Sequence, residues 1–216
     1  MSITLAVGTT VSIVDSAGYG ASKTMSAVTN ANPAVATLEA SHGVIVGDII
    51  HITSGWDLLS NKVVRVSAVA TNDVTLEGIN TSDTDLYPVG SGAGSVREVT
   101  TWSEVTQITR NINVSGGEQQ YADTSTLKNR QDQRIPTSRS VVDVVLPVYD
   151  DPTLAYYSDI AAHDATEVAG RFVYPNGRKV YFAGFWTVGD VATIEDSTLR
   201  NAVSVSFASR PQSYAS

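Results

Sequence analysis

The sequence predicts a mainly β protein with a single α-helix. Short runs rich in Val, Ile and Thr recur along most of the 216 residues, turn residues separate these runs, and one segment alone has helical periodicity. A chain of this length can bury one larger core or two small ones. We therefore expect many short strands, packed as barrels or sandwiches, with one helix lying against them.

The first predicted strand lies near the N-terminus. Segment 3–14 (ITLAVGTTVSIV) is rich in β-branched residues, and the Gly- and Ser-rich stretch 15–22 ends it. Four more strand candidates follow between residues 34 and 94: PAVATLEA, GDIIHIT, KVVRVSAVA and DVTLEGI. Strands this short and close together predict a small barrel or sandwich. The stretch SGAGS (91–95) is typical of a linker at its end.

The third of these runs shows the period of a half-buried strand. Val64, Val66 and Ala68 alternate with Arg65 and Ser67, so the first three are expected to face a core.

A polar segment, 116–140, comes next in the chain. Between positions 121 and 139 it has only three apolar side chains beyond Tyr121: Ala122, Leu127 and Ile135. Such a segment cannot bury itself, so we expect it to become ordered against a neighbouring subunit. The alternative, an ordinary disordered surface loop, stays open. If the segment serves assembly, its charges of both signs can set the register between subunits; they include Lys128, Arg130, Asp132, Arg134 and Arg139.

The one helix candidate is DDPTLAYYSDIAAH, at 150–163. Asp150 or Asp151 is expected to cap its first turn, where Pro152 is also tolerated. One helical face is predicted to pack on a sheet; it carries Leu154, Tyr157, Ile160 and Ala161. After it, Asn176-Gly177 between two β-type runs predicts a hairpin, and NAVSVSFAS (201–209) is the final strand.

Composition and motifs argue against catalysis. The chain has no cysteine, and its three histidines, His42, His51 and His163, have no metal-ligand spacing, so they are interpreted as surface or capping residues. The pairs Asp150-Asp151 and Glu195-Asp196 are interpreted as a helix cap and a turn. We expect no enzyme activity, no catalytic residue, no metal and no cofactor.

No segment resembles a signal peptide or a membrane span, and a net charge of −8 disfavours tight nucleic-acid binding.

The C-terminal third carries the most distinctive pattern. GRFVYPNGRKVYFAGFWTVGDVATIEDSTLRNAVSVSFASRP (170–211) resembles the end of the tube core in lambda-type major tail proteins of flexible-tailed bacteriophages. Three further features occur in the same order as in that family. They are GTTVSIV (8–14), TWSEVTQI (101–108) with the Gly-Gly-Glu motif at 116–118, and the helix at 152–164. The resemblance covers residues 1–26 and about 96–216.

The resemblance implies a discontinuous architecture. Residues 1–26 and 96–216 are expected to form a tail-tube β-sandwich or barrel core with one packed helix. Residues 27–95 resemble a small all-β barrel module of phage structural proteins, named for its likeness to a domain of ubiquitin-activating enzymes. We expect this module to be inserted between the first two core strands and to project from the outer wall of the tube.

The resemblance also implies a function. Such proteins assemble in the host cytoplasm into stacked hexameric rings, which form the virion's tail tube and conduct DNA during ejection without binding it specifically. Their partners are further copies of the chain and the tape-measure, tail-terminator and tail-tip proteins, with no membrane. The alternative is a phage decoration or host-surface-binding β-sandwich protein, for which Trp56, beside Gly55 in a predicted turn, is the expected exposed aromatic side chain. An enzyme with an unusual site ranks last.

Overall fold

The computed structural model describes residues 7–109, 112–124 and 131–215. Within these ranges the chain forms seventeen strands and one helix, which confirms the mainly β prediction. The strands that belong to a large sheet are β1 (Thr10–Val14), β8 (Trp102–Glu104), β9 (Asn113–Gly116), β12 (Val142–Tyr149), β13 (Val168–Val173), β14 (Lys179–Val188), β15 (Thr193–Glu195), β16 (Thr198–Phe207) and β17 (Gln212–Tyr214). The remaining strands are β2 (Lys23–Val28), β3 (Val35–Leu38), β4 (Ile49–Ser54), β5 (Lys62–Ala70), β6 (Asp73–Leu76), β7 (Gly94–Glu98), β10 (Gln119–Asp123) and β11 (Arg134–Arg139), and the helix is α1 (Ala155–Ala162).

Three β units result from the pairing of these strands. The nine-stranded sheet has the order β8-β1-β13-β14-β16-β12-β9, with β15 beside β16 and β17 beside β14. Strands β2 to β7 close into a barrel in the order β2-β3-β6-β5-β4-β7, and within the described part of the chain β10 pairs only with β11. The buried apolar side chains form two clusters, one inside the barrel and one on the sheet, and the second also includes Ile49 of β4 and Val63 of β5.

The barrel contains the four strands predicted between residues 34 and 94, and its interior follows the predicted alternation in part. Val64 and Val66 are fully buried, as expected, but Ala68 is exposed. A register irregularity against β6 lies between Val66 and Ala68. One extra residue in a strand moves every later side chain to the other face, so the prediction for Ala68 was wrong.

The SGAGS stretch is part of the barrel and is not a linker. Gly94 begins β7, the strand that closes the barrel between β4 and β2. A Cβ atom on Gly94 would lie 2.0 Å from the carbonyl oxygen of Thr53, so only glycine permits this approach of the two backbones.

Trp56 is buried in the barrel, with 2% of its surface exposed, so the prediction of an exposed aromatic side chain was wrong. Its indole N–H donates to the carbonyl oxygen of Pro88 at 2.8 Å, and its ring lies edge-on to Tyr87. The segment before β7 folds over the turn after β4 and covers the indole. That contact joins residues 32 positions apart, so no local sequence pattern predicts it.

The helix α1 packs on β14, β1 and β8, but it begins later than predicted. Leu154 is the N-cap residue and no side chain caps the first turn. Asp151 instead accepts the backbone and side-chain donors of Thr153, and Asp150 accepts the Tyr157 hydroxyl at 2.9 Å. Both carboxylates are used in the preceding turn, so the capping prediction was wrong.

The buried face of α1 is rotated from the predicted face. Ile160 is buried as expected, together with Tyr156 and Asp159, whereas Ala161 is exposed. Asp159 accepts the backbone N–H of Ser16 at 3.0 Å, which ties the helix to the loop after β1.

Two turns lie where the sequence predicts them. The Pro-Asn-Gly hairpin between β13 and β14 is confirmed, with Gly177 at φ 81°. The Glu195-Asp196 turn between β15 and β16 is also confirmed.

His42, expected at the surface, is only 6% exposed. Its Nδ1 accepts the Val44 N–H at 3.0 Å and its Nε2 lies 3.0 Å from the Thr71 carbonyl oxygen, so both ring nitrogens are used inside a turn.

Candidate functional site

The hairpin of β10 and β11, here called the assembly hairpin, carries the described part of the predicted assembly segment. Its strands pair antiparallel, and at its base the Ser140 N–H donates to the Glu118 carbonyl oxygen at 3.0 Å. Every residue of β11 is exposed and so is nearly every residue of β10. The hairpin therefore buries almost nothing against its own chain.

The predicted assembly residues do not form one cluster. Arg134 lies opposite Asp123 at one end of the assembly hairpin, and Arg139 lies opposite Gln119 at the other. Five residue steps along a strand separate the two arginines by about 17 Å. Asp132 precedes β11, and Lys128 and Arg130 lie outside the described residues. The two arginines can therefore contact different parts of a neighbouring subunit.

The assembly hairpin also exposes apolar side chains. Tyr121 and Ile135 are 58% and 56% exposed. Tyr121 is paired with Pro136 and Ala122 with Ile135, so the two exposed side chains are neighbours on opposite faces of the ribbon. An isolated two-stranded hairpin is only marginally stable in water. A partner that covers these faces would stabilise it.

The large sheet ends in two strands that each have one neighbour among the described residues. Strand β9 pairs only with β12, and β8 pairs only with β1. All four residues of β9 are exposed, including Val114 at 63%. An exposed strand edge offers unpaired backbone N–H and C=O groups to another chain.

A second exposed hairpin joins β15 and β16. Asp196 and Ser197 form its turn with φ values of 49° and 63°, as in the turns that match the twist of a hairpin. Arg200 holds it through an ion pair with Glu195 at 2.9 Å. Its exposed apolar residues, Val191, Ile194 and Leu199, were missed from the sequence, although three apolar residues around a polar turn are a visible signal.

The barrel and the sheet meet around Tyr19. Its hydroxyl accepts the Ala169 N–H at 2.7 Å and bonds to His51 Nδ1 at 2.9 Å, while the Arg97 guanidinium lies 4.4 Å from its ring centroid. Burial raises the pKa of Tyr19 to about 12. Burial, with the nearby Arg97 charge, lowers the pKa of His51 to about 4. The phenol is therefore the donor to a neutral imidazole, and the two bonds of the Tyr19 hydroxyl together link β4 of the barrel to β13 of the sheet.

A second seam joins β5 to the C-terminal strand. The Tyr214 hydroxyl accepts the Arg65 N–H and donates to the Glu77 carbonyl oxygen, both at 3.1 Å. Arg65 forms a two-point ion pair with the Glu77 carboxylate. Two separate seams hold the barrel against the sheet.

Acid is expected to weaken the fold through His51. The unfolded histidine has an ordinary pKa near 6.5, so between about pH 6.5 and pH 4 the unfolded chain binds a proton that the folded chain does not. The stability contributed by neutral His51 is present above this window and falls as the pH falls through it. Between pH 7 and pH 4.5 the loss is about 2 kcal/mol. Urea unfolding at the two pH values measures it.

The matched variant is His51→Asn, whose side-chain oxygen can still accept the Tyr19 hydroxyl. Carboxylates titrate equally in both proteins. The difference between the pH dependences of their unfolding free energies therefore isolates the contribution of His51. Equal slopes for the wild type and the variant would contradict this assignment.

The described residues offer no metal centre, because no group of three or more His, Asp or Glu side chains lies close enough to hold an ion. The helix they form is too short to cross a bilayer.

Comparison with known proteins identifies the family. No curated protein matches the chain significantly. The family described as phage tail tube protein (TTP) matches residues 54–216, which include β5 to β7 of the barrel and all of the large sheet except β1. Members of this family are structural components of the phage tail. The match covers three quarters of the sequence, and the chain therefore belongs to the phage tail tube protein family.

Proposed function

We propose that this chain assembles into stacked hexameric rings that form the tail tube of a flexible-tailed phage and conduct DNA during ejection. The family membership supports the structural role in the tail. The observation that carries the assembly step is the assembly hairpin, whose two strands pair only with each other among the described residues and are almost fully exposed on both faces.

The assembly hairpin suits contacts between subunits better than an ordinary surface loop. Its exposed apolar side chains, Tyr121 and Ile135, can add buried area on docking. Arg134 and Arg139, at its two ends, can select the register by charge complementarity. The open edge of β9 lies beside it in the chain and can extend the sheet into the next subunit.

The acidic balance of the chain suits a conduit for DNA. A net charge of −8 repels phosphate groups, so DNA can slide past without being held. We propose that the tube interacts with the tape-measure, tail-terminator and tail-tip proteins, and that it is assembled in the host cytoplasm before it becomes part of the virion.

We further propose that the barrel is a domain inserted into a tube core, as expected from the core ranges 1–26 and 96–216 and the module 27–95. The barrel strands themselves run from Lys23 to Glu98. Strands β1 and β8 pair directly, with Val14 opposite Trp102, and the Asp15 N–H donates to the Thr101 carbonyl oxygen at 3.3 Å. The chain thus leaves the sheet and returns to it at neighbouring points. A barrel attached in this way can project from the outer wall and leave the bore clear.

Electron microscopy of the purified protein tests the proposal. Over a range of protein concentrations we expect stacked rings and tubes with sixfold symmetry. A monodisperse monomer at every concentration would contradict it. A glycan-binding decoration protein is not favoured, because Trp56, its candidate contact residue, is buried.

A further inference from the structure

A polar cleft lies where the barrel meets the C-terminal segment. Its volume is about 360 Å³, and its polar lining residues are Lys62, Asn80, Tyr87, Arg210 and Gln212. Lys62 begins β5, Asn80 follows β6, Arg210 lies between β16 and β17, and Gln212 begins β17. The two cations are 148 positions apart in the sequence, and the docking of the barrel on the sheet brings them to one cleft.

Among the described residues, the two positive charges of this cleft have no counter-charge. No carboxylate lines the cleft, and in the part of the chain that the structure describes neither Lys62 nor Arg210 makes an ion pair. Arg65, on the same strand as Lys62, is paired with Glu77. Burial and the neighbouring Arg210 charge lower the pKa of Lys62. Lys62 is half-buried beside the exposed Arg210, and two neighbouring like charges are unfavourable until an anion neutralises them.

The remaining polar groups of the cleft are suited to an anion with hydrogen-bond acceptors. The Asn80 side-chain oxygen already accepts the Ser82 backbone and hydroxyl donors, at 3.0 and 2.8 Å, which leaves its NH₂ group to donate outward. Gln212 carries a second side-chain amide. A carboxylate can accept from two cations and an amide at once.

We propose that this cleft, with Lys62 and Arg210, receives a carboxylate side chain from a neighbouring copy of the chain. The proposal rests on tube formation. The chain supplies the complementary charge itself, since it has 22 acidic and 14 basic residues. DNA phosphate is the less suitable occupant, because the acidic remainder of the chain repels a polyanion. The contact is a second one between subunits, independent of the assembly hairpin.

Zero-length cross-linking tests this contact. Tubes assembled from an equal mixture of ¹⁴N- and ¹⁵N-labelled protein are treated with a water-soluble carbodiimide, which joins a lysine amine to a carboxylate in direct contact as an amide. We expect mass spectrometry to find Lys62 joined to an Asp or Glu peptide in mixed-isotope pairs from tubes only. Lys23 lies near Glu39 in the same chain, and its intrachain cross-link in both tubes and dispersed subunits controls for the reagent.

A double variant, Lys62→Gln with Arg210→Gln, adds a second readout. It removes both charges and keeps polar side chains, so it should fold normally and raise the protein concentration needed for tube formation about tenfold at low salt. Lys23→Gln is the matched control and should assemble as the wild type does.

The outcomes separate this inference from the proposed function. If the wild type forms no tubes, the proposed function itself fails. If tubes form, but Lys62 gives no cross-link between copies and the double variant assembles normally, the inference is overturned while tube formation stands. If inorganic phosphate raises the melting temperature of dispersed wild-type subunits but not of the double variant, the cleft takes a soluble anion, which also overturns it.

Discussion

Replacement of residues 119–139 by two glycines is expected to abolish tube formation and to leave the barrel and the large sheet folded. The Glu118 N–H already donates to the Ser140 hydroxyl at 3.0 Å, and the Ser140 N–H donates back to the Glu118 carbonyl oxygen at 3.0 Å, so a two-residue turn can join these positions. The excised strands bury almost nothing. The stability of the subunit should therefore change by no more than about 0.5 kcal/mol, whereas the loss of a subunit contact should prevent assembly.

Sedimentation and electron microscopy measure assembly, and thermal unfolding measures the subunit. A milder variant, Arg134→Glu with Arg139→Glu, should slow tube formation without changing the unfolding temperature. Arg178→Glu is the control, since Arg178 is an exposed arginine of the β13–β14 hairpin. Tubes of normal length from the excised protein would exclude the assembly hairpin as an interface.

Trp56→Ala is expected to destabilise the barrel by about 3–5 kcal/mol, the usual cost of removing a buried indole. The indole is 2% exposed, donates to Pro88 and packs against Gly92, where an added Cβ atom would lie 2.9 Å from its ring. If the barrel is an inserted domain, the loss should be local. Amide hydrogen exchange should then quicken in residues 23–98 and stay slow in the strands of the large sheet.

Trp186→Ala provides the reciprocal comparison. Trp186 is also 2% exposed, but it lies in β14 and stacks on Phe182 in the core of the sheet. This variant should quicken exchange in the sheet. Equal loss of protection in both units for either variant would mean that barrel and sheet unfold together, and the domain division would be wrong.

Local sequence patterns were sufficient where neighbouring residues decide the structure. The four runs between residues 34 and 94 became barrel strands because alternating apolar side chains and turn residues act over a few positions. The Asn176-Gly177 turn followed for the same reason, since glycine accepts the positive φ that the turn requires.

The errors came from side chains used by distant partners. Asp150 does not cap α1 because its carboxylate accepts hydrogen bonds from Tyr157 and from Asn201, 51 positions away. Trp56 next to Gly55 suggested an exposed turn, but residues 88–92 cover it.

The sequence by itself determined that this protein is mainly β, that it has one helix and that it offers no recognisable catalytic motif, because periodicity, turn residues and composition are local properties. Only the tertiary structure decided which strands close the barrel, how Tyr19 joins it to Ala169 of the sheet, and that Lys62 and Arg210 share a cleft. These are contacts between residues far apart in the chain, and their free energy depends on packing and burial that no short segment contains.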